Sequence, residues 1–341
     1  MTIHRRHLLS ALSTTFTATA LLPFRTFAQA RPKKEVLVFY YGWYGTKARA
    51  GIDIHWLNPD TAHERIANAP NYPVGGPYDS LDPAVIARQM AQIKAAGITG
   101  LIVSWWGQTD RTNEQLRLVL NAAGAQGLKV TAYVEQVATA EGVAADTLYL
   151  YQTYTRHPAW LRLNNKPVIM YFDRLMQDIG LDGWQKAHTL IEKQAPGQLS
   201  YIATANTLKE IKARKGAFDG LHIYSQQFEG AETRLLPSLW RTKYYNDWVK
   251  AQSGASVTTA TILPGYDDRL QLDRKGKRPV IKREDGRPFR DLWNAAIAAK
   301  PDWIMIVSFN EWHEASQIEP STAFGMRELE TCRQMSAKFL R

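Results

Sequence analysis

The feature that most constrains this chain is an alternation that recurs eight times. From residue 36 onward, a short apolar run rich in β-branched or aromatic residues is followed by a polar loop and then a stretch of helical period. The runs are Val36–Tyr41, Gly100–Trp105, Lys129–Glu135, Val168–Asp173, Tyr201–Thr204, Gly220–Tyr224, Thr258–Leu263 and Trp303–Ser308. The first helical stretch, Pro83–Ala96, carries Val85, Met90 and Ile93 on its apolar side and stops at Gly97. Further stretches follow at Asn113–Gln126, Val143–Tyr154, Leu181–Gln194, Thr207–Lys215, Pro237–Gln252 and Arg290–Lys300, with a last helix over Met326–Leu340. Eight such cycles within 341 residues predict an α/β protein of one domain, a single (β/α)8 TIM barrel. The rival is a doubly wound open sheet, which as a dinucleotide binder would carry Gly-x-Gly-x-x-Gly after its first strand. Gly42-Trp43-Tyr44-Gly45 does not supply that turn. Two long loops, Thr46–Leu81 and Gly265–Pro288, are expected to shape the active-site face.

Residues 1–30 stand apart from the cycles. Arg5-Arg6 and two leucines precede an apolar run to Leu22, then Ala28-Gln29-Ala30, with no acid throughout. This is the layout of a cleavable export signal of the twin-arginine type, followed by a catalytic domain over residues 31–341. The run is too short and too diluted by Ser and Thr to anchor the chain in a membrane. We therefore expect a periplasmic or secreted protein with no stable membrane insertion.

The net charge of +10 loses the three arginines of the leader. What remains is scattered, and its densest stretch, Arg274–Arg278, is interleaved with acids nearby and reads as a solvated loop. Nucleic acid is not an expected partner. The single Cys332 can form no internal disulfide and no thiolate zinc site. Its place in the last helix reads as packing.

Barrel chemistry sits at the C-terminal ends of the strands. In this sequence those ends carry Tyr41, Trp43 and Tyr44, Ser104-Trp105-Trp106, Glu135, Asp173, Tyr224, Tyr266-Asp267-Asp268 and Asn310-Glu311-Trp312-His313-Glu314. Carboxylates among Trp and Tyr suit glycoside hydrolysis, where acids move protons and rings hold the sugar. Taken singly, a strand-end ring is more often core than ligand, and Tyr224 reads as structural. The last cluster differs, because two glutamates directly after an apolar strand serve no folding need. No metal is expected: Glu311, His313 and Glu314 lack the His-Glu-x-x-His pattern, and His55 and His63 are dispersed.

Ser308-Phe309-Asn310-Glu311-Trp312-His313-Glu314, continuing through Gln317-Ile318-Glu319, resembles the signature of glycoside hydrolase family 99, the endo-α-1,2-mannosidases and endo-α-mannanases. Phe39-Tyr40-Tyr41-Gly42-Trp43-Tyr44-Gly45, Ile54-His55-Trp56, Ser104-Trp105, Val134-Glu135 and Pro264-Gly265-Tyr266 match in order, so the resemblance spans about Val36 to Glu319. Gly42 stands where the family usually has Pro, Gln136 replaces another Pro, and Ala315-Ser316 replaces a usual Gly-Thr.

Glu311 and Glu314 are three positions apart, so in a turn they face the same way. Reaching both faces of one anomeric carbon from there is awkward; a base acting on the sugar's own 2-hydroxyl is easier to place. The resemblance implies that chemistry. Glu311 is the base that drives O2 onto the anomeric carbon, giving a 1,2-anhydro sugar, and Glu314 is the general acid that then activates water. It also implies that Glu135 and Tyr266 bind the reacting sugar, that Tyr41, His55, Trp56 and Trp105 line the cleft, and that no cofactor is needed. Trp43, Tyr44, Asn310 and His313 complete the expected substrate-binding set. The expected activity is retaining, endo-acting hydrolysis of an α-mannosidic oligosaccharide or polysaccharide by a monomer. Hydrolysis of another α-glycan, or a non-catalytic glycan-binding barrel, are the alternatives.

Overall fold

The computed structural model describes residues 31–136, 138–224, 237–271 and 280–341. The expected export signal, residues 1–30, and the basic stretch at 274–278 lie outside the described residues. The strands are β1 (Glu35–Tyr40), β2 (Gly100–Trp105), β3 (Lys129–Val134), β4 (Arg162–Leu163), β5 (Lys166–Tyr171), β6 (Ser200–Thr204), β7 (Gly220–His222), β8 (Thr259–Ile262) and β9 (Trp303–Ile306). The helices are α1 (Lys47–Ala50), α2 (Pro83–Ala95), α3 (Arg111–Ala125), α4 (Ala140–Thr153), α5 (Arg174–Asp178), α6 (Gly180–Glu192), α7 (Leu208–Arg214), α8 (Pro237–Ala251), α9 (Arg287–Ala298) and α10 (Arg327–Leu340). A single 3-10 turn, Trp312–Glu314, follows β9.

Eight strands run parallel in the order β7-β6-β5-β3-β2-β1-β9-β8. The two ends of that order meet without a regular ladder. Val257 N–H donates to the Asp219 carbonyl at 3.1 Å and Thr259 Oγ1 to the Leu221 carbonyl at 2.7 Å. Gly220 permits this approach, since a Cβ there would meet a Val257 methyl at 2.5 Å. The expected eight-stranded barrel is thus nearly closed. The two-residue β4 pairs antiparallel with β5 across Asn164 and Asn165, both at positive φ.

Both faces of the strands are buried, as parallel barrel strands require. Inward, Phe39, Tyr133 and His222 fill the lumen, with Phe39 edge-on to Tyr133 at 5.0 Å and the Tyr133 and His222 polar atoms both on Thr204 Oγ1. Burial pushes the His222 pKa down to about 4, so it stays neutral there. Outward, Tyr40 bonds Gln89 of α2, Trp105 Nε1 donates to Asn113 of α3 at 3.1 Å, and Tyr171 bonds Thr147 of α4 at 2.8 Å. Side-chain caps set the starts of the helices: Asp82, Asp110, Thr139 and Thr207 each accept from a first-turn N–H. No helix among the described residues is long and apolar enough to cross a membrane.

One buried cation fixes the segment after β9. Arg283 donates to the carbonyls of Ala315 at 2.8 Å and Gln317 at 2.6 Å, pairs with Glu328 at 3.3 Å and lies over the Phe324 ring. Ala315 sits at φ 49°, left-handed backbone that favours glycine. We predict that Arg283→Met destabilises the fold by about 3–5 kcal/mol, because it orphans two buried carbonyls and takes from the buried Glu328 one of its two guanidinium partners, leaving Arg327 alone. The melting temperature should fall by on the order of 10 °C; an unchanged melt would contradict the role assigned to Arg283.

Candidate active site

The C-terminal end of the barrel opens into a cavity of about 480 Å³. Its wall includes Glu311, His313 and Glu314 from the turn after β9, Tyr41 and Trp43 after β1, Trp106 after β2, Glu135 after β3, Phe172 and Arg174 after β5, and Tyr224 after β7. His55 and Asn68 reach it from the long first loop, and Gln271 from the loop after β8. A larger groove of about 870 Å³ lies at the opposite end of the barrel, beside α6. Its acids are already engaged: Asp219 accepts from Tyr201 N–H and Ser256, and Glu192 from Gly197 N–H. The chemistry belongs to the smaller cavity.

The turn that bears the two glutamates is built from below. The Asn310 side chain accepts from Tyr41 N–H at 2.8 Å and donates to the Tyr41 carbonyl at 2.7 Å, adding a rung beyond the ladder between β1 and β9. Tyr44 donates its hydroxyl to the Asn310 carbonyl and accepts from Trp312 N–H. Trp56 stacks on Tyr44 at 4.1 Å and donates to the Tyr78 carbonyl. The Tyr78 hydroxyl accepts from Asn310 and Trp312 and donates to Glu319 at 2.7 Å; Gln89 holds the other Glu319 oxygen at 2.8 Å. Three expected substrate-binding residues, Tyr44, Trp56 and Asn310, are therefore buried supports beneath the cavity rather than part of its wall. Tyr266 likewise is buried outside the wall, its hydroxyl on Asp268 and its main chain paired with Ile281, while the next N–H, of Asp267, holds the Glu314 carbonyl.

Glu311 caps the 3-10 turn, accepting from His313 N–H at 3.1 Å, with His313 Nδ1 at 3.3 Å from the same oxygen. His313 Nε2 lies 2.7 Å from the His55 carbonyl, an acceptor, so it carries a proton. His55 in turn stacks on Trp43 at 4.7 Å. Glu314 accepts from the Tyr224 hydroxyl at 3.3 Å, and Tyr224 accepts from Tyr41 at 2.6 Å. Burial and the surrounding carboxylates hold both tyrosine pKa values well above the ordinary range, so these phenols stay protonated donors. Both glutamates are under one-tenth exposed.

Across the cavity, Glu135 accepts from Ser104 Oγ at 2.9 Å, which accepts from Trp106 Nε1 at 3.0 Å. Burial pushes its pKa up to about 7, against the pull of Ser104 and of the Arg174 charge, with Glu314 adding to the rise. Asp173 is engaged elsewhere, by Gln177, Asn206 and Arg214.

Two placements differ from expectation. Trp105 faces α3 and is wholly buried; its expected place in the cleft wall is taken by Trp106. Tyr224, expected to be structural, touches Glu314. Arg174, Phe172, Asn68 and Gln271 carried no signal in the sequence. Gly42 leaves room for the Gln115 side chain of α3, which occupies the space a Cβ would need.

Comparison with known proteins gives the family. The family model for glycosyl hydrolase family 99 matches residues 32–332. The chain is 28% identical to the glycoprotein endo-alpha-1,2-mannosidase of Xenopus laevis, over 84% of this chain and 70% of that protein. It is 24% identical to the Homo sapiens glycoprotein endo-alpha-1,2-mannosidase-like protein, over 85% and 69%. The solved GH99 endo-alpha-mannosidase from Bacteroides thetaiotaomicron superposes with a TM-score of 0.76 at 26% identity, covering 89% of this chain and 97% of that one. With the match running from just before β1 into α10 and the paired glutamates standing at the end of β9, this chain belongs to glycosyl hydrolase family 99 and is a glycoside hydrolase.

Proposed function

We propose that the chain is an endo-acting hydrolase of α-mannosidic linkages in mannan or mannose-containing glycans, retaining configuration through a 1,2-anhydro sugar. The observation that carries this reading is the placement of Glu311 and Glu314 on one short turn, opening into one cavity with Glu135. In the first step Glu311 takes the proton of the mannose 2-hydroxyl and O2 bonds to the anomeric carbon. The glycosidic bond breaks as Glu314 protonates the leaving oxygen. In the second step Glu314 takes a proton from water, the water oxygen bonds to the anomeric carbon as the bond from that carbon to O2 breaks, and O2 recovers its proton from Glu311. Two inversions give net retention. Glu135 binds a hydroxyl of the reacting sugar, and the Trp43, Trp106 and Tyr41 rings supply faces for its carbons. The relatives named as endo-alpha-1,2-mannosidases support the linkage class. The export-signal layout of residues 1–30 supports a periplasmic or secreted enzyme, which we propose acts as a monomer.

Glu314→Gln should lower turnover of unactivated α-mannans by about 10²–10⁴-fold, with binding largely kept. Mass spectrometry of products released from a glycan panel measures this; near-parental hydrolysis would sink the assignment. With an α-linked substrate, NMR should show the α-anomer forming first; an early β-anomer would rule out retention. Glu135 carries a further expectation. Its folded pKa of about 7 exceeds its ordinary value of 4.5, so its contribution to stability is full below 4.5 and lost as pH rises towards 7. Glu135→Gln should therefore match the parent near pH 4.5 and exceed it by about 3 kcal/mol above pH 7, while weakening substrate binding. Thermal melts across that range measure the crossover, and a pH-independent difference would count against a buried, titrating Glu135.

A further inference from the structure

Arg174 is a cation in the wall of a cavity rich in acids, and the reaction proposed above leaves it without a task. It opens α5, directly after the end of β5. Its guanidinium lies 4.8 Å from the Trp106 ring centroid and 5.5 Å from that of Phe172. Its Nη1 donates to the main-chain carbonyl of Glu135 at 3.2 Å. The adjacent Asp173 carboxylate is engaged by Arg214, Asn206 and Gln177 instead. Among the described residues no carboxylate lies within ion-pair distance of Arg174.

These contacts close a loop around one acid. Trp106 Nε1 donates to Ser104 Oγ, and Ser104 Oγ donates to Glu135 Oε1. Arg174 covers the Trp106 ring and bonds to the backbone of Glu135. We propose that Arg174 is a positioning residue which ties Trp106 and Glu135 into one unit and shifts the Glu135 carboxylate towards the ionised form that accepts a sugar hydroxyl. The proposal rests on the hydrolase reading above for the identity of the ligand, though not for the effect on Glu135.

The groups facing Glu135 make the direction definite. From the turn after β9, Glu314 disfavours a second negative charge. From β3 and the end of β1, the Tyr133 and Tyr41 phenols stay protonated and carry no charge. From β2, Ser104 donates one neutral hydrogen bond. Among the described residues Arg174 is the positive charge that acts on Glu135, and it opposes burial. A guanidinium suits this place because it stays charged when half-buried, and its flat face packs on indole while its edge still donates.

The test compares Arg174→Met, which keeps the packing, with Arg174→Lys, which keeps the charge. On an α-mannan substrate, Arg174→Met should raise KM more than it lowers kcat. The rise should be about tenfold near pH 6.5 and smaller at pH 8.5, as the midpoint for Glu135 ionisation moves up by roughly one unit. Arg174→Lys should restore much of the pH dependence. An equal loss at both pH values, or a lysine variant no better than methionine, would overturn the proposal, since a merely structural role predicts both. A readout without substrate separates this result from failure of the hydrolase reading. Melts with and without Glu135→Gln, in the parent and in Arg174→Met, locate the upper edge of the pH window from Glu135. That edge should move upward in Arg174→Met, and an unmoved edge refutes the proposal even if no glycan is turned over.

Discussion

The cleft depends on one amide. Asn310 spends its acceptor and one N–H on the main chain of Tyr41, where the ladder between β1 and β9 has already ended, and its amide also donates to the Tyr78 hydroxyl. The two strands are thereby held in register one step beyond their hydrogen bonds, at the level where chemistry takes place. Everything above follows from this rung. Glu311 and Glu314 follow Asn310, and Tyr41 is the first ring of the adjoining wall. Replacing the amide by a carboxylate would leave the Tyr41 carbonyl facing an acceptor; replacing it by an apolar group would orphan both backbone groups in a buried site.

The supports of that rung come from two long loops. Tyr44, Trp56 and Tyr78 belong to the segment between β1 and α2, and they reach Asn310, Trp312 and Glu319. Arg283 belongs to the loop before α9 and takes the Ala315 and Gln317 carbonyls. The turn is thus clamped from both sides by groups with satisfied hydrogen bonds, which is the condition under which a buried polar network rigidifies a site. Glu319 and Glu135 show how similar acids diverge. Both are buried, and burial raises both pKa values. Glu319 has its two oxygens taken by Gln89 and Tyr78 and lies away from the cavity, whereas Glu135 faces it.

The cycles were legible because eight apolar runs of similar length leave little else to build. The strand ends were harder to read, for a physical reason. When both faces of a strand are buried, apolar residues fill both, and the alternation that tells inward from outward disappears. Leu-Ile-Val-Ser-Trp-Trp shows no period, so Trp105, which points at α3, could not be told from Trp106, which points at the cavity. Tyr44 and Trp56 misled in the same way, since a ring supporting a site and a ring lining it have the same composition. Helices α3 and α4 start two or three residues before the expected Asn113 and Val143, because Asp110 and Thr139 cap polar first turns that carry little apolar period. Arg174 and Tyr224 had no local signature, because their roles arise from neighbours far away in sequence. Among the family's usual residues that this chain lacks, the glycine expected at 315 is explained by left-handed backbone there, which Ala315 adopts under the hold of Arg283.

The spacing of the two glutamates takes on a sharper meaning in this setting. Side chains three positions apart eclipse in a 3-10 turn, and Glu311 caps the turn that Glu314 ends. A conventional nucleophile and acid must approach a glycosidic bond from opposite sides, about 5–5.5 Å apart. Two carboxyls carried by one short, clamped turn have little freedom to rearrange towards opposite sides of a bond. A base for the 2-hydroxyl and an acid for the leaving oxygen need no such opposition, because the attacking atom belongs to the substrate itself. The rigidity of the turn supports the mechanism proposed above, in which the turn supplies two proton-transfer groups at fixed positions and the nucleophile belongs to the sugar.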